Sequence, residues 1–202
     1  MNTSLTDSVN RHGSVQLIAP ESFCSPRYIS EDTNSGKRWY AVSVRRRAER
    51  MTALCLENKG YEYLLPSRRV KRRLSDRVKL IEQPLFSGYV FCKLDVKERL
   101  PLLTTPGVIS LVGFGKEPIP VADSEIDAIF QIVRAEARAE EWPFVEQGQR
   151  VEITSGALRG LEGVVVRCST TFRVVVSVTL LRRSVAVQVE RSAIRLVQAP
   201  LR

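Results

Sequence analysis

The chain has 202 residues, of which 44% are apolar and 26% are charged, and its net charge at pH 7 is +9. This length suits one large or two small domains, and the apolar content excludes a chain that is disordered throughout. The four cysteines form no Cys-x-x-Cys pair and His12 is the only histidine, which argues against a zinc site or Cys/His catalysis. The sequence has no phosphate-binding glycine loop, no apolar run long enough to span a bilayer, and a polar N-terminus without a signal peptide. We therefore expect a cytoplasmic, monomeric binding protein that is not an enzyme and needs no cofactor or metal.

The positive charge is concentrated in two parts of the chain. Residues 37 to 80 carry 14 basic and 4 acidic side chains, and residues 148 to 202 carry 9 and 3. Such concentrations favour an anionic partner. For any single arginine, a solvated surface position is the alternative interpretation.

The first ordered elements are predicted after a polar extension. Residues 1 to 36 are rich in Ser, Asn, Thr and Asp without a sustained period, and we interpret them as flexible. The segment 39–44 suits a strand, and the spacing then becomes helical until Gly60. The apolar stripe of this first helix is predicted to consist of Val44, Ala48, Met51 and Cys55.

Four further segments follow before the second helix. Residues 61–65 predict a strand, and the basic stretch SRRVKRRLSDR after it predicts a loop or hairpin. An aromatic strand is predicted at 85–91, interrupted by Gly88, and another strand near 108–112.

The second helix has clearer signals than the first. Ser124 and Asp127 predict a capping box at its start. Its apolar stripe is Ile126, Ile129, Phe130 and Val133. Strands and helices in this order predict an α+β domain, with helices packed on an antiparallel sheet. The charged segment 135–147, which contains Pro143, predicts a linker.

The sequence after the linker, GQRVEITSGALRGLEGVVV, alternates as a strand, turns and resumes as a strand. It resembles the KOW motif, although Gly156-Ala157-Leu158 replaces the usual Gly-Pro-Phe. We interpret Gly156, Gly160 and Gly163 as structural residues of the turn. Further short strands are predicted at 173–178, 185–189 and 194–197, which completes a small five-stranded barrel.

Several motifs in order now resemble one family. They are Trp39-Tyr40-Ala41-Val42, Pro84-Leu85-Phe86-Ser87-Gly88-Tyr89-Val90-Phe91, Thr105-Pro106-Gly107-Val108 and Val112-Gly113-Phe114-Gly115. Together with the KOW motif they resemble the NusG family of transcription elongation factors. The resemblance implies a flexible extension at 1–36, an NGN domain at 37–134, a linker at 135–147 and an all-β KOW domain at 148–199.

The resemblance also implies a partner and site residues. NGN domains bind the clamp helices of RNA polymerase, and the positions that match the aromatic strand are Phe86, Tyr89 and Phe91. The alternative is that these rings only fill the core. The arginine-rich start of the helix is similar to that of specialised, RfaH-like antiterminators, although Ser87 replaces a usual proline.

A basic surface is predicted to contact the DNA of the transcription bubble. The resemblance implies such contacts near the helix start, whereas those of the basic hairpin are inferred from its charge. The residues are Arg45, Arg46, Arg47, Arg50, Arg68, Arg69, Lys71, Arg72 and Arg73.

The resemblance gives the KOW domain a protein partner, either Rho or a small-subunit ribosomal protein. A different class of function also fits the motif: an RNA-binding or ribosome-associated protein that acts away from polymerase. The NGN-like half favours the elongation factor, since a barrel that only bound RNA would not need it.

Overall fold

The computed structural model describes residues 36–73, 78–144, 148–168 and 171–197. The predicted extension at 1–36 therefore lies outside the described residues except for Gly36. In the described part, no helix combines the length and the apolar character that crossing a bilayer requires.

A four-stranded antiparallel sheet, here called the NGN sheet, organises the first part of the chain. Its strand order is β2-β5-β1-β6. The strands are β1 (Arg38–Val44), β2 (Glu62–Leu64), β5 (Tyr89–Leu94) and β6 (Val108–Leu111). Around it lie the helices α1 (Glu49–Asn58), α2 (Leu100–Leu103) and α3 (Asp123–Arg134), and the two-stranded ribbons β3–β4 (Ser67–Arg73, Val78–Pro84) and β7–β8 (Gly113–Phe114, Glu117–Pro118).

The two faces of the NGN sheet are covered by different elements. Side chains alternate along a strand, so Tyr40 and Val42 of β1 point to one face and Trp39 and Ala41 to the other. The first face forms a core with Leu56 of α1. The second face belongs to the apolar cluster that includes α3. Both faces are thus buried.

The first helix begins later than the sequence predicts, and its predicted stripe is wrong. Arg47 adopts a left-handed backbone conformation (φ 68°), which separates β1 from a helix that starts at Glu49. The period that begins at Val44 therefore runs out of phase with the helix. Met51 is 62% exposed, whereas Thr52, Ala53 and Leu56 are buried.

The second predicted helix has the expected apolar stripe but not the expected cap. Helix α3 begins at Asp123, so Ser124 lies inside the first turn and cannot cap it. Ala122 occupies the capping position. Asp123 and Glu125 place negative charge at the positive end of the helix dipole instead. Ile126, Ile129 and Phe130 are buried as predicted.

The C-terminal part is all β, which confirms the predicted α+β fold with an all-β region. The strands are β10 (Gln149–Ile153), β11 (Glu162–Cys168), β12 (Thr171–Val178), β13 (Arg183–Val189) and β14 (Ile194–Leu196). A sixth strand, β9 (Ala139–Trp142), lies within the segment predicted as a linker and pairs antiparallel with β13. The order is β14-β10-β11-β12-β13-β9. This six-stranded unit is called the barrel below.

The glycines of the KOW motif are required for two different reasons. Gly156 and Gly160 have positive φ (81° and 85°), which a residue with a side chain rarely adopts. Gly163 lies in β11, where an added Cβ would come within 2.6 Å of the Val175 carbonyl oxygen. The turn thus needs backbone freedom, and β11 needs close approach to β12.

Candidate polymerase and nucleic-acid interfaces

The predicted aromatic site lies on the face of the NGN sheet that the barrel covers. Phe86 and Phe91 are 1% and 0% exposed, and their rings pack edge to face with centroids 5.4 Å apart. Tyr89 is half-buried and packs against the same cluster. The guanidinium of Arg183, from the barrel, lies 5.4 Å from the centre of the Tyr89 ring.

One apolar cluster continues from this face into the barrel. On the sheet side it contains Phe86 and Phe91, together with Ile129 of α3. On the barrel side it contains Val174 and Val176, whose strand β12 packs against α3. No part of this contact was visible in the sequence, because each apolar stripe was already accounted for within its own domain.

Polar contacts surround the apolar contact. Oε1 of Glu125 in α3 accepts hydrogen bonds from the Thr179 hydroxyl (2.8 Å) and the Thr179 backbone N–H (3.2 Å). The side-chain amide of Gln131 donates to the Arg159 carbonyl oxygen (2.8 Å). On another side, the Ser87 hydroxyl donates to Glu141 Oε1 (3.2 Å). These bonds are exposed, so water can replace them when the barrel separates.

The predicted basic residues near the helix start are held by a turn rather than by the helix. Arg45, Arg46 and Arg47 lie between β1 and α1, and only Arg50 is helical. A buried carboxylate fixes the turn opposite them, since Glu49 Oε1 accepts a hydrogen bond from the Gly88 N–H at 2.8 Å. Sequence reasoning missed Glu49, because a single acidic residue among arginines looks like a surface residue.

The basic stretch 67–73 pairs antiparallel with 78–84, as the hairpin interpretation of the sequence predicts. Its register pairs Arg69 with Glu82 and Lys71 with Leu80. Arg68 is half-buried, whereas Arg69 and Lys71 are exposed. The structure describes the backbone but not the side chains of Arg72 and Arg73.

The hairpin and the helix start face each other across a cleft of about 940 Å³. Arg46, Arg47 and Arg50 line it on one side and Lys71 on the other, and Arg50 reaches Glu82 at 3.6 Å. Two basic segments that are about twenty residues apart in sequence thus form one surface. Its chemistry suits the phosphates of a nucleic-acid strand.

The groups with a shifted pKa lie away from these surfaces. Burial, reinforced by the nearby Glu62 carboxylate, raises the pKa of the Cys92 thiol to about 12. Burial also raises the pKa of the Tyr61 hydroxyl, with smaller contributions from Cys92 and Glu98. Both groups therefore stay neutral at physiological pH.

Comparisons with known proteins agree with these features. Residues 37–130 match the family described as NusG, transcription termination factor nusG. The transcription termination/antitermination protein NusG of Campylobacter jejuni is 27% identical over 142 residues, which cover 65% of this chain and 80% of the relative. The protein of the same name from Thermus thermophilus is 27% identical over 178 residues, which cover 77% and 96%. A solved structure described as domain interaction in Thermotoga maritima NusG is 24% identical, with a TM-score of 0.48, over 80% of this chain and 98% of that one.

The fold is an antiparallel sheet with a helix on each face, followed by an all-β unit, and the relatives support a transcription factor of the elongation class. The family match over the NGN sheet and the two curated relatives make this assignment more specific. Together they support a NusG-family factor, with the family match lying in residues 37–130.

Proposed function

We propose that this transcription elongation factor binds the clamp helices of RNA polymerase with the sheet face that carries Tyr89 and Phe91. The observation that most supports this is the nature of that face: it is apolar, and a second domain covers it through contacts rimmed by exposed hydrogen bonds. Large aromatic rings on such a face provide much contact area at small entropic cost. The factor acts in the cytoplasm by binding rather than by catalysis.

The proposal requires two domains, 37–134 and 148–199, that separate. In the closed arrangement Phe86 and Phe91 are buried in the apolar cluster that the NGN sheet, α3 and the barrel share, and Tyr89 lies under Arg183. A polymerase helix can reach these rings only after the barrel has left. Polymerase and barrel therefore compete for one face, and Tyr89, at the edge of the contact, is the first ring to become available.

The basic surface has a separate role in this proposal. The two sides of the cleft between α1 and the hairpin hold the phosphates of upstream duplex or of the exposed non-template strand in the bubble. Such contacts position the protein without reading sequence. Of the proposed residues, Arg46, Arg47, Arg50 and Lys71 line this cleft. The proposed surface also includes Arg45, Arg68, Arg69, Arg72 and Arg73 of the same two segments.

We further propose a specialised antitermination role, supported by the similarity of the arginine-rich helix start to RfaH-like factors. The freed barrel then binds Rho or a small-subunit ribosomal protein. In vitro transcription across a pause and a Rho-dependent terminator tests this role. Read-through that rises with the factor supports antitermination, and read-through that falls contradicts it.

Tyr89→Ala tests the polymerase interface. We expect polymerase binding to weaken by about 1 to 3 kcal/mol, the range of an interface anchor, while the variant remains folded. Phe114→Ala is the control, because Phe114 is 85% exposed and lies on the β7–β8 ribbon, outside the sheet that carries Tyr89. A Tyr89→Ala variant that unfolds more easily but binds normally when folded would show that Tyr89 only packs the core.

A further inference from the structure

A second basic cleft, which shares Ser67, Val70, Lys71 and Glu82 with the one beside α1, lies where the hairpin, the end of α3 and the barrel meet. Its volume is about 920 Å³. The residues of its lining that come from the hairpin and α3 are called the NGN wall, and Arg173 and Gln188 are called the barrel wall; residues 136–140 complete the lining. Both domains thus contribute to it, and the cleft exists only while the barrel rests on the sheet.

Basic residues dominate the lining of this cleft. They are Arg68, Arg69, Lys71, Arg134, Arg138 and Arg173, against the acidic Glu82, Glu136 and Glu140. Two of the three carboxylates are already engaged, since Glu140 pairs with Arg173 and Glu82 with Arg50. The cleft therefore keeps an excess of positive charge.

Most of these cations have no ion-pair partner among the described residues. In the part of the chain that the structure describes, Arg68, Arg69, Lys71 and Arg138 form no ion pair. Several basic groups around one concavity repel one another, and a bound anion removes that repulsion.

Two arginines of the lining, one from each wall, have contacts within the protein and each retains an Nε donor without an acceptor among the described residues. Arg173 stacks on Trp142, with 4.6 Å from its guanidinium carbon to the ring centre, and also pairs with Glu140. Arg68 donates one long hydrogen bond of 3.5 Å to Gln83. The Nε atoms of both are buried and have no acceptor among the described residues. Positioned guanidinium groups of this kind suit the bidentate binding of phosphate.

The lining also indicates how a ligand is recognised. No aromatic ring lines this cleft in the described structure, so it offers no surface on which a base can stack. The cleft thus recognises a ligand through its phosphates alone.

We propose that this cleft binds a chain of phosphates, supplied by a nucleic-acid strand, and that the bound chain holds the barrel against the NGN sheet. A ligand that contacts both walls binds only the closed arrangement, and so it shifts the population towards closure. If polymerase needs the open arrangement, as proposed above, the same ligand opposes polymerase binding. The binding site itself does not depend on that proposal.

The test uses the full chain without polymerase. The probe is single-stranded oligothymidine of about ten nucleotides, within the site sizes of single-strand binders. Binding is measured by titration at several salt concentrations. We expect the double variant Arg138→Gln/Arg173→Gln to lower the slope of log affinity against log salt by about 1.4, that is about 0.7 for each lost contact to a single strand. Arg138→Gln alone, an exposed position, should lower it by about 0.7.

The charge-matched control is Arg150→Gln/Arg195→Gln. These arginines lie on β10 and β14, at the other end of the strand order from β9, and form exposed ion pairs with Glu162 and Glu152. Their loss should leave the slope unchanged. Equal slopes for the cleft variant and this control would overturn the site. Arg173→Lys, which keeps the charge but loses the planar fork, should bind more weakly than the unmodified chain.

Two further measurements identify the source of the phosphates and the effect on closure. Tripolyphosphate should displace the oligonucleotide; if it binds the cleft and the oligonucleotide does not, the ligand is a free polyphosphate. In Glu125→Ala, whose closed arrangement has lost two hydrogen bonds, the mean distance between the NGN sheet and the barrel should decrease when the probe binds. An unchanged or larger distance would refute the claim that the ligand closes the protein. No polymerase is present, so these outcomes are independent of the polymerase interface.

Discussion

The two hydrogen bonds that Thr179 donates to Glu125 join the barrel to α3, and a single substitution of Glu125 removes both. One carboxylate oxygen accepts two hydrogen bonds, at 2.8 and 3.2 Å, and Glu125 is not part of the core. A hydrogen bond to a charged group contributes about 1.5 to 3 kcal/mol, and partial exposure favours the lower end. Glu125→Ala should therefore destabilise the closed arrangement by about 1.5 kcal/mol, roughly tenfold in the closed-to-open ratio.

This shift has a measurable consequence for polymerase binding. When the binding-competent form is the minor one, apparent affinity rises in proportion to its population. Glu125→Ala should thus bind polymerase up to about tenfold more tightly, the reverse of what an ordinary destabilising change does. Adding Gln131→Ala, which removes the neutral bond to the Arg159 carbonyl oxygen, should increase the open population by a further factor of about five.

The assay combines polymerase titration with a distance measurement between the NGN sheet and the barrel. Asp127→Ala is the matched control, because it removes one carboxylate from the exposed side of the same helix. It should change neither the distance nor the affinity. If Glu125→Ala behaves as this control does, the contact does not limit access to polymerase, and the competition between barrel and polymerase is wrong.

Three more predictions address the basic surface, the KOW turn and the core. Replacing Arg46, Arg47 and Arg50 around the start of α1 with Gln should lower the slope of log affinity for an elongation complex against log salt by about two to three units. An unchanged slope would show that these arginines are only solvated charges. Gly163→Ala should cost about 1 to 3 kcal/mol of barrel stability through its clash with β12, and Gly163→Asn should not recover it. Gly160→Ala should cost about 1 to 2 kcal/mol through positive φ alone, and Gly160→Asn should recover part of it; chemical denaturation measures both pairs. Cys92 should resist alkylation until the protein unfolds, and rapid labelling of native Cys92 would refute its burial. Because its pKa of about 12 in the folded protein exceeds the unfolded value of 9.0, the free energy of unfolding should fall as the pH rises above about 9.

Local patterns predicted the elements well where one periodicity covered a whole element. The aromatic and β-branched residues of 39–44 predicted a strand, and the stripe of α3 identified its buried face. The prediction for α1 was wrong because the left-handed conformation of Arg47 interrupts the chain between β1 and α1, so the helical period does not continue from Val44. A backbone conformation of that kind leaves no signal in hydrophobic spacing.

Contacts between distant elements were beyond these patterns for a physical reason. Strand β9 contains Glu140 and Glu141 in a charged, proline-containing stretch, and its pairing with β13 uses backbone groups that every sequence has. The cleft between α1 and the hairpin depends on the orientation of the hairpin relative to α1, which neither basic segment determines by itself. Residue types indicated which chemistry was available, and only the fold brought it together.

The two interpretations of the aromatic strand, interface or core, are compatible in this fold. Phe91 lies on one face of β5 with Tyr89, and that face is buried by another domain as well as by α3. A ring can therefore be part of the core while the barrel is closed and part of an interface when it is open. Substituting Tyr89 should weaken both states, whereas substituting Glu125 should weaken mainly the closed one. The pair of variants thus separates packing from access, because opposite changes in polymerase affinity are expected from two changes that both loosen the same contact.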